Sequence, residues 1–186
     1  SGQAALDQLK TMNSKNFFHI GPPRDFDLFK TFENQKVEKI DSCDFLLCTG
    51  LFDDESELKF YEKLLLAHTE KKMICTNPDL VVDRGNVREF CAGTIAKIFE
   101  KLGGKVKYFG KPYPEVYEKA FNNLQGKKVI FIGDNLNTDI KGANILNFDS
   151  LLINNGIHKN EISNGIKELT KKYNVNVNYT QTELKW

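Results

Sequence analysis

Apolar residues along this chain fall into short continuous runs separated by amphipathic stretches. Phe17–Ile20, Asp44–Gly50, Lys72–Cys75, Val106–Phe109, residues 128–132 and residues 150–153 are runs of strand length. Such runs, bounded by turn residues, predict buried strands. Gly21-Pro22-Pro23 ends the first of them, since proline removes a ladder donor. Between the runs the spacing becomes helical. Leu58, Tyr61, Leu64 and Leu65 predict a helix from Glu57 to about His68, with Ser56 as its N-cap. Phe90, Ile95, Ile98, Phe99 and Leu102 predict another over about residues 87–102, stopped by Gly103-Gly104. Pro114 suits the first turn of a helix ending near Leu124. Further helices are expected over residues 3–12, 138–145 and 160–172. The Asn-rich tail, Asn174 to Tyr179, reads as a last strand or an extended segment. Strands alternating with helices predict an α/β fold with mainly parallel strands.

One stretch carries more chemistry than the rest. After the run Val129–Ile132 come Gly133, Asp134, Asn135, Leu136, Asn137, Thr138 and Asp139. Gly133 permits a sharp turn. Ligands of open α/β sheets bind outside the carboxyl ends of the strands. Paired carboxylates there suit Mg²⁺, which takes oxygen ligands and bridges to phosphate. The plainer reading leaves Asp134 as a strand end and Asp139 as an acidic residue near a helix start. Lys111 lies between a strand end with Gly110 and the Pro114 helix. It is either a solvated surface charge or an ammonium placed to offset charge on a phosphate. Asn135 is either a loop donor or a turn former. Asn77-Pro78-Asp79 follows a strand directly, and Asn-Pro favours turns. Asn154-Asn155-Gly156-Ile157-His158 reads as another turn, with His158 on the surface.

Gly133–Asp139 resembles the fourth motif of the haloacid dehalogenase (HAD) superfamily, most of whose members are phosphatases. Gly110-Lys111-Pro112-Tyr113-Pro114 is similar to the lysine-bearing third motif of the class IIA branch. Cys75-Thr76-Asn77-Pro78-Asp79 is similar to a loop of that branch's cap, and Ser1–Leu6 to the segment leading into the cap. The resemblance implies a Rossmann-like HAD core, of which the chain holds the C-terminal half, with an inserted α/β class IIA cap. The implied domains are a core remnant over 1–12, a cap over 13–106 and the C-terminal half of the core over 107–186. It also implies Mg²⁺ as cofactor, Asp134 as metal ligand, and Lys111 and Asp139 as catalytic groups. Lys111 would hold the phosphoryl group, and Asp139 would orient Lys111 or the metal shell. Asn77 and Asp79 would select the substrate, and Gly133 and Asn135 would support the metal site. A small phosphorylated metabolite is the implied substrate, passing through an aspartyl-phosphate.

The family's nucleophile motif, an Asp-x-Asp at a strand end, has no counterpart in that position. Asp25-Phe26-Asp27 follows Gly21-Pro22-Pro23-Arg24 rather than an apolar strand, so residues 1–186 alone are expected to be inactive. A catalytically inactive binding or regulatory protein, and a flavodoxin-like domain in which Asp134 only ends a strand, are the rival readings. At 186 residues the chain fits one domain or two small ones. A net charge of +1 gives no pull toward nucleic acid or a membrane. Apolar runs stop well short of the ~20 residues that span a bilayer, and no signal pattern is present. Cys43, Cys48, Cys75 and Cys91 form no Cys-x-x-Cys pair, which predicts reduced, buried thiols in a cytoplasmic protein. Homo-oligomerisation is left open.

Overall fold

The computed structural model describes residues 1–12, 14–85, 87–121, 126–162 and 165–185, with the side chains of 118–120 left aside. The chain divides into two compact units, Ser1–Gly110 and Lys111–Trp186.

The first unit is built on four parallel strands in the order β1 (Phe17–Ile20), β2 (Phe45–Cys48), β3 (Lys72–Cys75) and β6 (Lys105–Tyr108). Register is tight: Phe17 faces Phe45, and Cys48 faces Cys75. Both faces of this sheet are covered, as continuous apolar strands require. On one face Phe17, Phe45, Leu47 and Ile74 join Ala5 and Leu9 of helix α1 (Gly2–Lys10). Phe29 and Phe32, from a run of 3₁₀ turns over Pro23–Gln35, complete that cluster. Helix α3 (Ala92–Lys101) packs on β2, β3 and β6 through a stripe of buried residues including Ile95 and Phe99, and α2 (Leu58–Leu66) packs against α3. Asp25 and Asp27 lie in the 3₁₀ turns that follow β1, not on a strand.

Two expectations in this unit need correction. The helix expected over residues 87–102 begins only at Ala92. Residues Val87–Phe90 are strand β5, paired antiparallel with β4 (Val81–Arg84) in a hairpin. Gly85, at φ 61°, supplies the positive dihedral of a tight hairpin turn. Cross-strand ion pairs join Asp83 to Arg88 and Arg84 to Glu89. Ser56 does not cap α2. The N-cap position is Glu57, whose N–H donates to Glu55 Oε1 at 2.8 Å.

The second unit is a three-stranded parallel sheet in the order β7 (Ile130–Gly133), β8 (Asp149–Ile153) and β9 (Tyr179–Gln181). Leu152 of β8 gathers Leu136, Ile140, Leu169 and Val175 into the core of one face. Register places Phe131 on the same face as Leu152, and aromatic rings extend the core there, with Phe131 5.0 Å from Tyr117 of helix α4 (Glu115–Phe121) and 5.6 Å from Phe148. β7 lies at the end of this sheet, paired only with β8 among the described residues. Ile130 and Ile132, expected to be buried, are 45% and 37% exposed, because they alternate with Phe131 and Gly133 onto the face opposite the Leu152 core. The helix expected from residue 138 starts at Leu136 with a π turn to Ile140 and continues as α5 (Lys141–Ile145). The helix expected from residue 160 is α6 (Ile166–Tyr173). Part of that expectation, at 163–164, falls outside the described residues, as does the expected end of the Pro114 helix at 122–124.

The Asn-rich tail is a set of specific joints. Asn174 takes the left-handed conformation that ends α6. Asn176 N–H donates to Asn144 Oδ1 at 2.6 Å, and Asn178 Oδ1 accepts from Ser150 N–H at 3.0 Å, which leads the chain into β9.

Candidate functional site

The loops after β7 and β8 build a polar site within the second unit. Asp139 stands one turn into the helical segment that follows β7 and is buried, 7% exposed. Burying a carboxylate demands partners, and among the described residues it has two. Lys111 Nζ forms an ion pair with Oδ1, and Asn135 N–H donates to Oδ2 at 3.2 Å. Lys111 reaches from the start of the unit, 28 residues away in sequence, with its side chain half exposed.

Gly133 makes this approach possible. A Cβ there would fall 2.2 Å from the Asp139 carboxyl carbon. It is not among the glycines with positive φ. Its value is the missing side chain rather than a sharp turn, which corrects the reading made from sequence. Of the two readings of Asn135 the geometry matches the turn former: its side chain caps the following segment by accepting from Asn137 N–H at 2.9 Å.

Asp134 turns toward the loop after β8. Its Oδ2 accepts from Ile157 N–H at 3.0 Å. Gly156 is the second glycine of the site, since a Cβ there would sit 2.1 Å from the Asp134 Cβ. The sequence signalled Gly156 only as a turn former. Among the described residues Asp134 Oδ1 receives no hydrogen bond. His158, expected on the surface, is 6% exposed. Its Nε2 accepts from Leu136 N–H at 3.2 Å, and its Nδ1 lies 2.9 Å from Glu161 Oε1. Glu161 also takes Lys172 at 2.6 Å, and the Lys172 and His158 bonds pull its carboxyl down to about 2. Tyr117 packs near Asp139. Burial first, and the Asp139 charge second, push its hydroxyl up to about 12.

No set of three or more His, Cys, Asp or Glu gathers as a metal site among the described residues. What is present among the described residues is one carboxylate, Asp134, with one oxygen uncommitted. Mg²⁺ is commonly held by one or two carboxylates, waters and substrate phosphate, so this donor fits such an ion as a partial shell. Asp139, whose two oxygens accept from Lys111 and Asn135, would serve such an ion as a supporting group rather than a second ligand.

Asn77 and Asp79 belong to the first unit. Asn77 Oδ1 accepts from Asp79 N–H at 3.1 Å, the turn expected of Asn-Pro. Both residues line a cleft of about 790 Å³ at the carboxyl ends of β1–β3, together with Arg24, Asp25, Asp53 and Arg84. All four cysteines are free and buried. Burial pushes the Cys75 thiol up to about 12 and Cys91 up to about 11, so neither offers a thiolate near neutral pH.

Residues 108–176 match the HAD-hydrolase-like family. The ribonucleotide monophosphatase NagD of Escherichia coli is 32% identical over 89 residues, covering 46% of this chain and 34% of the relative. Dihydroxyacetone phosphatase of Corynebacterium glutamicum is 28% identical over the same length, covering 46% of this chain and 32% of that protein. The chain therefore spans about a third of these curated relatives. A haloacid dehalogenase-like hydrolase from Brucella suis superposes with a TM-score of 0.71 at 34% identity, over 84% of this chain and 61% of that one. A possible sugar phosphatase from Cytophaga hutchinsonii, at 18% identity and TM-score 0.75, shares the fold over the whole of this chain and 71% of its own. No helix among the described residues is long and apolar enough to cross a membrane.

Proposed function

We propose that this haloacid dehalogenase-like chain, of the class IIA phosphatase-like form, supplies the metal carboxylate and the phosphoryl-holding lysine of a phosphatase acting on a small phosphorylated metabolite. The observation that carries the reading is the pairing of Lys111 with the buried Asp139, beside an Asp134 whose Oδ1 accepts no hydrogen bond among the described residues. Asp139 fixes the ammonium at the site and offsets its charge while the phosphoryl group is absent. Lys111, half exposed, keeps donors available to a phosphoryl oxygen. Mg²⁺, bound through Asp134, would supply a further positive charge against the transferring group. The attacking carboxylate is assigned to an Asp-x-Asp strand outside residues 1–186, because Asp25 and Asp27 occupy 3₁₀ turns. Ser1–Gly110 acts as the selecting domain in this reading, with Asn77 and Asp79 choosing among leaving groups through their cleft.

The test is Mg²⁺-dependent hydrolysis of an aryl phosphate. Residues 1–186 are expected to give no turnover. A chain extended through an upstream strand bearing Asp-x-Asp is expected to turn over and to lose that activity with Asp134→Asn. A phosphoryl-enzyme trapped on residues 1–186 would show the nucleophile to be misplaced. An extended chain without turnover would favour a binding or regulatory role.

A further inference from the structure

His158 is a buried titratable group that the proposed chemistry does not use. A backbone N–H can only donate, so the Leu136 bond requires Nε2 to be the bare, accepting nitrogen. The ring proton then sits on Nδ1 and points at Glu161 Oε1, 2.9 Å away. Glu161 is held in turn by Lys172 at 2.6 Å and by the Tyr173 hydroxyl at 3.1 Å, both on α6. The Tyr173 ring also lies edge-on to the imidazole, 4.8 Å between centroids. A continuous chain of polar contacts thus runs from α6 to the first amide of the segment that follows Asp134 and Asn135. One residue before His158, the Ile157 N–H holds Asp134 Oδ2. The two bonds cross-brace the same pair of loops: one binds loop 154–158 to the Asp134 carboxylate, and the other binds it to Leu136.

We propose that His158 is a positioning residue, whose ring, oriented by Glu161, locks the turn 134–136 against the loop after β8 and so fixes the Asp134 carboxylate. The geometry stands independently, but its use for a metal rests on the phosphatase reading. Groups that orient a metal ligand typically change affinity by about 10–100-fold when removed.

The test is amide hydrogen exchange on residues 1–186, with ¹⁵N spectra of the imidazole. Wild type should show a neutral ring protonated at Nδ1. His158→Ala should speed exchange at Leu136 and Ile157 together, by about tenfold, while β8 amides keep their protection. His158→Gln, whose carbonyl can still accept from Leu136 and whose amide can reach Glu161, should restore most of it. If His158→Ala does not fold, Glu161→Gln carries the same requirement that both amides loosen together. An Nε2-protonated ring, or Leu136 freed while Ile157 stays protected, overturns the proposal. A parallel Mg²⁺ titration should show His158→Ala weaker by about tenfold or more, with recovery in His158→Gln. A wild-type chain that binds no Mg²⁺ counts against the phosphatase reading, while the paired amides still decide the positioning role.

Discussion

Gly133→Ala should destabilise the second unit even though general backbone arguments predict the opposite sign. Gly133 lies in β7 and is not among the glycines with positive φ. Replacing glycine by alanine at a compatible backbone usually stabilises by about 0.4–1 kcal/mol through the unfolded chain. Here the added Cβ would meet Cγ and Oδ2 of Asp139 at 2.2 Å and Cβ at 2.3 Å. Asp139 cannot step aside freely, because Lys111 and the Asn135 amide hold it. Overpacking costs about 1–3 kcal/mol, and a lost charge-assisted hydrogen bond about 1.5–3 kcal/mol. Set against the entropic gain, the net loss is about 1.5–5.5 kcal/mol. Urea unfolding followed by far-ultraviolet circular dichroism measures it. The mechanism is isolated by a double-mutant cycle with Asp139→Gly, which removes the clashing atoms. The two substitutions should couple favourably by about 1–3 kcal/mol. Additive effects, or a stabilised Gly133→Ala, would refute the argument that this glycine exists to admit Asp139.

His19 is buried with its Nε2 2.8 Å from Thr49 Oγ1, and burial, aided by Lys36, lowers its pKa to about 4. The unfolded chain therefore binds the extra proton between about pH 6.5 and 4, so stability falls as pH drops through that window. The loss is up to about 3 kcal/mol, and His19→Gln should flatten the profile in pH-dependent urea melts. A wild-type profile flat from pH 6.5 to 4 would remove the claim. The Tyr117 hydroxyl is buried without a hydrogen-bond partner among the described residues. Tyr117→Phe should therefore leave thermal stability unchanged or raise it by up to about 1 kcal/mol, whereas a loss above that would reveal a partner for the hydroxyl.

The continuous apolar runs located β1, β2, β3, β6, β7 and β8, most of them buried parallel strands. They did not locate the β4–β5 hairpin. Val81-Val82 and Val87 flank the charged Asp83 and Arg84 around Gly85 without a clean alternation, and Phe90 also fits the helical spacing that α3 continues. Tertiary pairing of Asp83 with Arg88 then decides for strands. Within the site, Asp134, Asp139 and Lys111 stood out by their places after strand ends. The pairing of Lys111 with Asp139 spans 28 residues and has no local signature. His158 was misjudged for the same reason. A lone histidine after a turn looks solvated, and its burial comes from Leu136 and Tyr173, which are distant in sequence. Gly156 illustrates a general limit: a turn glycine and a glycine that admits a neighbouring carboxylate look identical until the neighbour is known.

The central claim is that Asp134 offers an uncommitted carboxylate oxygen to Mg²⁺. Titrating Mg²⁺ into ¹⁵N-labelled residues 1–186 and into Asp134→Asn tests it most directly. The account predicts saturable shifts centred on Asp134, Asn135 and Ile157 in the wild type, weakened or abolished in the variant. Shifts centred instead on the carboxylates of the first unit's cleft, or an Asp134→Asn titration identical to wild type, would contradict it.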